Sequence, residues 1–291
     1  MIGIDEAALD RMLQALKERL LRARNSYGFW EGKLSGSALS TAVAAFALAL
    51  ANKRKYASLI NKAIAWLIHN QNSDGGWGDT VKSISNISTT MLCWAALAAT
   101  QKARGKEARN SDIEIRNPLR DPWRDKSELP KTEYSKRSEE AVHRAEAWLV
   151  GFAGSLSPWD LALAVVRKYG RDRSFSAPIL TMCALAGRLG DPAQAWKRVA
   201  PLPFELAMLP HRLYSWLRLP VVSYALPALI AIGQAHYHHR RPTNPLIRLI
   251  RRLSLRRTLK VLQSIQPENG GFLEAAPLTA FVVMSLAASG Q

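Results

Sequence analysis

Cysteine is nearly absent from this chain: among 291 residues only Cys93 and Cys183 occur. Both lie inside apolar runs, MLCWAAL and TMCALAG. There is no paired framework to form, so the two read as inert buried thiols in a reducing compartment. Acid is also scarce. Twenty-three Asp and Glu face 40 Lys and Arg, a net charge of +17, which calls for a negatively charged partner, either nucleic acid or anionic lipid. Long apolar runs are missing: no stretch reaches the roughly 18 residues of a spanning helix, so a transmembrane protein is not expected. The first residues, MIGIDEAALDRMLQALKERL, lack the apolar centre and small-residue cleavage site of a signal peptide, and no leader is expected. Catalytic signatures are missing as well: there is no phosphate loop, no His-Glu-x-x-His and no serine elbow.

What remains is globular. Hydrophobic residues make up 48% of the chain and nine are Trp, enough for a full core in one large helical domain or two small ones. Self-similarity organises it. Residues 59–80 read LINKAIAWLIHNQNSDGGWGDT: a helix with Ile60, Ile64, Leu67 and Ile68 on its apolar side, then Gln71, a turn through Gly75 and Gly76, and Trp77. An alanine-rich helix, STTMLCWAALAAT, follows. The same order runs from LQALKERLLRARN through Gly28-Phe29-Trp30 to SALSTAVAAFALAL. It returns in LKVLQSIQPENGGF and PLTAFVVMSLAAS, where Gln266 matches Gln71 and Phe272 replaces Trp77. The repeats lie near 10–50, 59–100 and 255–290, and the first two tryptophans are 47 residues apart, the size of a helix pair. Gly75 and Gly76 are expected to permit a positive-φ turn, and Ser and Thr to cap the second helix. That second helix is apolar all round and therefore buried. Inner helices buried on every side beside outer amphipathic ones describe an all-α, two-layer α/α barrel or toroid. Whether the ring closes within these residues is left open.

The order of Lys62, Trp66, Leu67, Gln71, Gly75 and Trp77 resembles the QW motif of squalene–hopene and oxidosqualene cyclases. The first repeat departs from it with Arg24 in place of Gln, and the third with Phe272 in place of Trp. The resemblance implies that Gln71, Trp77, Gln266 and Phe272 tie helices together, a structural role. It also implies the amino-terminal half of such a cyclase, one region over residues 1–291.

Half of residues 101–140 carry a charge, and Pro118, Pro122 and Pro130 lie among them, so 101–137 reads as an exposed excursion, with helix resuming at Ser138. The segment LPFELAMLPHRLYSWLRLPVVSYALPALIAIGQAHYHHRR is similar to the cyclases' stretch in which a Pro-Pro-Glu-like turn leads to a Trp and a long apolar helix. Pro203, Glu205, Pro210, Trp216 and Ser223 fall in that order. In the family this region forms a non-polar plateau with the substrate entrance. The resemblance therefore implies that Trp216, Leu219, Val222, Leu226 and Ile230 face a membrane. Leu219 to Gly233 carries no charge and is too short to span. Residues 240–260 carry eight Lys or Arg and no acid, which suits a monotopic protein on an anionic surface. A buried core helix beside a solvated basic one is the alternative. The expected location is peripheral, on the cytoplasmic side of a membrane. Nucleic acid is disfavoured, because this basic stretch is interleaved with Leu and Ile rather than stacking aromatics. His236, His238 and His239 lack Cys or carboxylate companions at ligand spacing, so they read as solvated side chains. Neither metal nor cofactor is expected.

Protonating an alkene demands a strong, water-excluded acid, and the carbocation that follows needs aromatic faces around it. In the cyclases that acid is the middle Asp of Asp-x-Asp-Asp. No Asp here stands in such a motif, nor in Asp-Asp-x-x-Asp, so no catalytic residue is assigned. Glu31, Asp79 and Glu274 follow the repeat aromatics and read as helix-start charges. By family analogy Glu274 to Pro277 would face the substrate cavity, although Ala275 and Ala276 stand where the family has bulkier or polar residues. The expected partners are a polyprenoid lipid such as squalene, an anionic membrane and a complementary cyclase half. The alternative is a non-catalytic toroid that binds an isoprenoid or a protein.

Overall fold

The computed structural model describes residues 5–32, 35–107, 131–170, 172–209, 225–273 and 275–290. They contain eleven α-helices and a short 3-10 segment, and no strand among the described residues. The chain divides into two compact units, Met1–Gly36 and Ser37–Gln291.

The first unit holds α1 (Glu6–Arg22), started by the Asp5 carboxylate accepting from Ala8 N. No residue of α1 is buried. The turn after it closes with an isolated bridge between Arg24 and Trp30.

The second unit has two layers. Its inner helices are α2 (Ala38–Asn52), α4 (Ile87–Glu107), α7 (Arg173–Leu185), α9 (Leu226–His239) and α11 (Ala276–Ala288). Each packs on the next, and α11 packs on α2, so the inner ring is closed. It is also narrow, because α7 touches α11 across it. The sequence accounts for this. Residues Ile87 to Ala98 are all buried, and alanines such as Ala42, Ala45, Ala95 and Ala184 leave room for close backbone approach at interior packing density. The outer layer comprises α3 (Ala57–His69), α5 (Lys131–Ala153), α6 (Pro158–Tyr169), α8 (Pro192–Arg198), the 3-10 segment Phe204–Met208 and α10 (Pro245–Ser264). Outer helices are amphipathic: α3 buries Ile60, Ile64 and Leu67 at i, i+4 and i+7 and packs on α2.

Helix starts follow capping chemistry. Ser37, Ser157, Asp172 and Asp191 each accept a backbone N–H at the first turn of α2, α6, α7 and α8, contacts that contribute about 1 kcal/mol apiece. Asn244 does the same for α10, accepting from Leu246 N at 2.9 Å with Pro245 at the first helical position.

Two sequence expectations change. Helix α4 continues to Glu107 and α5 begins at Lys131, so helix enters the charged stretch from both sides; residues 108–130 lie outside the described ones. The apolar segment expected at a membrane is, from Leu226 on, the inner helix α9. Ile230 is fully buried and Leu226 is half-buried against the same core cluster. Its lack of charge comes from its place in the ring, between α7 and α11.

Candidate functional site

The three repeat turns share one hydrogen-bond pattern. In the second, Gln71 Nε2 donates to Gly75 O at 2.7 Å, Gly75 N donates to Asn72 O at 3.0 Å, and Trp77 Nε1 donates to Leu67 O at 2.9 Å. In the first, Arg24 Nε donates to Gly28 O at 2.7 Å, Gly28 N to Asn25 O at 3.0 Å, and Trp30 Nε1 to Leu20 O at 2.6 Å. Arg24 therefore does the work of glutamine with a different donor. In the third, Gln266 Nε2 donates to Gly270 O at 3.1 Å and Gly270 N to Pro267 O at 2.9 Å, while Phe272 has no indole to donate. The central glycine has positive φ in all three: +90° at Gly28, +92° at Gly75 and +78° at Gly270. Gly76 does not. It is small for another reason: a Cβ there would stand 2.6 Å from Ser85 Cβ.

The second turn is also tied to the neighbouring outer helix. Gln71 Nε2 donates to Ala141 O at 2.9 Å. Arg144 of α5 donates to Asn72 O at 2.7 Å and Ser73 O at 3.1 Å, and Trp148 Nε1 donates to Asp74 Oδ2 at 3.1 Å. Trp77 is fully buried, and its backbone N–H donates to Thr90 Oγ1 at 3.0 Å; Phe272 N does likewise to Thr279 Oγ1 at 2.9 Å. The expected members Lys62 and Trp66 are peripheral: Lys62 is exposed and Trp66 half-buried against the core. Arg144 and Trp148 escaped sequence reasoning, since nothing in the SEEAVHRAEAWL pattern says which outer helix it will meet.

A proton donor is not found among the described carboxyls. Those displaced from the ordinary range all move downward, which favours the ionised carboxylate with no proton to donate. Asp79 is held low by hydrogen bonds from Thr89 Oγ1 at 2.6 Å and, against desolvation, from Asn86 Nδ2 at 2.9 Å, at the start of α4 as expected of a helix-start charge. Desolvation opposes the shift at Asp74, yet hydrogen bonds from Ser85, Gly76 N and Trp148 bring it down. Ser155 and Ser157 lower Asp160, and Ser174 lowers Asp172. Both thiols are buried, and burial pushes Cys183 up to about 12.

His236 is buried rather than solvated. Its ring meets Trp196 edge-on at 5.8 Å, and burial pulls its pKa down to about 4. His238 and His239 are exposed as expected, with His239 stacked on Trp196 at 4.5 Å. Among the described residues no group of three or more His, Cys, Asp or Glu could hold a metal. Glu205, of the Pro-Pro-Glu-like turn, faces Arg251 of α10 at 3.1 Å, an ion pair with little exposure. Trp216, Leu219, Val222 and Glu274 lie outside the described residues; Pro277 is half-buried in the first turn of α11. No single helix among the described residues is long and apolar enough to cross a membrane. A cleft of about 420 Å³ between α3 and α5 has a mixed wall, with Ala65, Ile68 and Ala141 beside His69, Gln71, Arg137, Glu140 and Arg144.

A closed α/α ring carrying glycine turns locked by a side-chain donor and an aromatic defines the QW-repeat class of helical proteins. Residues 13–110, spanning the first two turns, match the family model of the squalene-hopene cyclase N-terminal domain. The match covers about a third of the chain, and it is to that family that these residues are similar. No curated protein matches the chain.

Proposed function

We propose that this chain serves as an acid-free, amino-terminal portion of a squalene–hopene-type triterpene cyclase, seated on a membrane surface and cyclising nothing by itself. The family match over 13–110 supports the reading, because it falls on two turns whose locks are formed. The absence of Asp-x-Asp-Asp from these 291 residues supports a proton donor that lies outside them. Squalene incubated with the purified protein is expected to give no hopene in gas chromatography with mass detection. Any cyclised product from the chain alone overturns the proposal. Co-expression with a cyclase segment bearing Asp-x-Asp-Asp is expected to give product.

One observation favours a second reading. The inner ring is narrow enough for α7 to touch α11, which is more space-filling than a reaction chamber requires. A non-catalytic module that holds a polyprenoid or a protein against its outer surface fits that geometry. It predicts saturable binding of labelled squalene without product and no gain of activity from the complementary segment.

A further inference from the structure

Helix α1 buries none of its residues, yet it carries four leucines in register. Leu9, Leu13, Leu16 and Leu20 are 56, 61, 57 and 57% exposed. Their spacing alternates four, three and four, the repeat of the two core positions of a coiled coil. At about 100° per residue all four fall within roughly 60° of arc, the narrow seam of a two-stranded pair rather than the wider face of a core helix. Exposed Met12 lies at one edge of it. The charges are ordered about this seam. Arg11, Glu18 and Arg22 stand on the opposite side of the helix, with Arg22 paired to Glu18 at 3.3 Å. Asp10 and Lys17 lie along one flank of the seam, seven residues apart, and Arg19 lies with Met12 on the other.

We propose that this seam is a self-association surface, on which α1 of a second copy of the chain packs in the antiparallel sense. Leu9 of one copy then meets Leu20 of the other, Leu13 meets Leu16, and the twofold axis repeats both contacts. Charge complementarity selects both occupant and direction. End-for-end reversal brings like flanks together, so Asp10 of each copy stands beside Lys17 of the other, two ion pairs in all. A parallel pair would instead set Asp5 against Asp10 and Arg19 against Arg24. With three acids and four bases, α1 is nearly neutral and gives an anionic surface little to hold. Self-association through α1 goes beyond the cyclase reading and does not depend on it.

Sedimentation equilibrium of the full chain over a wide concentration range is expected to show monomer passing to a species of twice the mass. Leu13→Ser with Leu16→Ser removes four leucines from the paired seam and is expected to weaken association by on the order of a hundredfold or more. Asp10→Lys alone and Lys17→Asp alone are each expected to weaken it about tenfold at low salt, and the two together to restore it. Leu253→Ser, which alters an exposed leucine on α10, is expected to leave it unchanged. All these positions are exposed, so circular dichroism should show the variants folded. A chain that stays monomeric throughout overturns the proposal, and so does a dimer indifferent to the double serine variant or dissolved by Leu253→Ser. A double charge variant no tighter than either single one overturns it too. Association strengthened by Asp10→Lys has the same consequence, since that is the response of a parallel pair.

Discussion

The turns Arg24–Trp30 and Gln71–Trp77 make the same internal hydrogen bonds in opposite surroundings. Trp30 is 48% exposed and Trp77 is fully buried, yet each indole reaches the carbonyl ten residues earlier, and each glycine sits near φ +90°. The comparison separates two kinds of information. The turn itself is specified locally by a donor, a glycine and an aromatic at fixed spacing. Its energetic weight is added by what packs around it, here Thr90 behind the Trp77 backbone and Arg144 and Trp148 from α5.

The largest effect that can break this comparison is removal of the buried indole. Trp77→Ala should cost about 4 kcal/mol in urea unfolding followed by circular dichroism, through lost burial, a cavity and an orphaned Leu67 carbonyl. If Trp77→Ala costs no more than Trp30→Ala, burial is not what gives the second turn its weight.

Next come the glycines. Gly75→Ala and Gly270→Ala share the penalty of an L side chain at positive φ, about 1 kcal/mol. Only Gly75 has a wall behind it: a Cβ there would stand 2.6 Å from Arg144 O, whereas at Gly270 nothing lies nearer than 3.9 Å. Gly75→Ala should therefore lower stability by about 2 kcal/mol more than Gly270→Ala, since the backbone of α5 must shift. Equal losses would mean that α5 yields freely.

A smaller effect concerns acid. Three residues after the motif glutamine stands Asp74 in the second turn and Asn269 in the third, and each accepts the N–H two residues on at 3.0 Å. The Asp74 pKa lies below its ordinary 3.8 in the folded chain. Its contribution is thus complete above that value and lost as pH falls through the lower folded value. Asp74→Asn should flatten the most acidic part of the stability–pH curve and leave neutral pH nearly unchanged. An unaltered acid limb would remove Asp74 from the account.

These effects follow the line between what was legible in the sequence and what was not. The turns were legible because Gly-x-Trp after an apolar helix has few physical solutions. The closure of α11 on α2 was not, because two alanine-rich helices carry no sign of which apolar face they meet. Ile230 was misplaced for the same reason, since an uncharged helix reads alike in a core and at a membrane. The basic helix was legible as amphipathic but not in its orientation. Periodicity marks a polar and an apolar face, and only the Arg251–Glu205 and Thr258–Gln234 contacts show that polar residues took the inside.

The smallest effect probes the locality of the first turn. Arg24 Nε and Gln71 Nε2 each reach the carbonyl four residues on at 2.7 Å, so Arg24→Gln restores the motif's usual donor. What it removes is the guanidinium 5.9 Å from the Trp30 ring, an exposed contact contributing about 0.5 kcal/mol. Hydrogen exchange at the amides of Gly28 and Phe29, both donated within the turn, should change by no more than about threefold. A larger acceleration would mean that the guanidinium, and not the donor–glycine–aromatic pattern, holds the first turn, and the likeness between the two turns would then be one of shape without a shared cause.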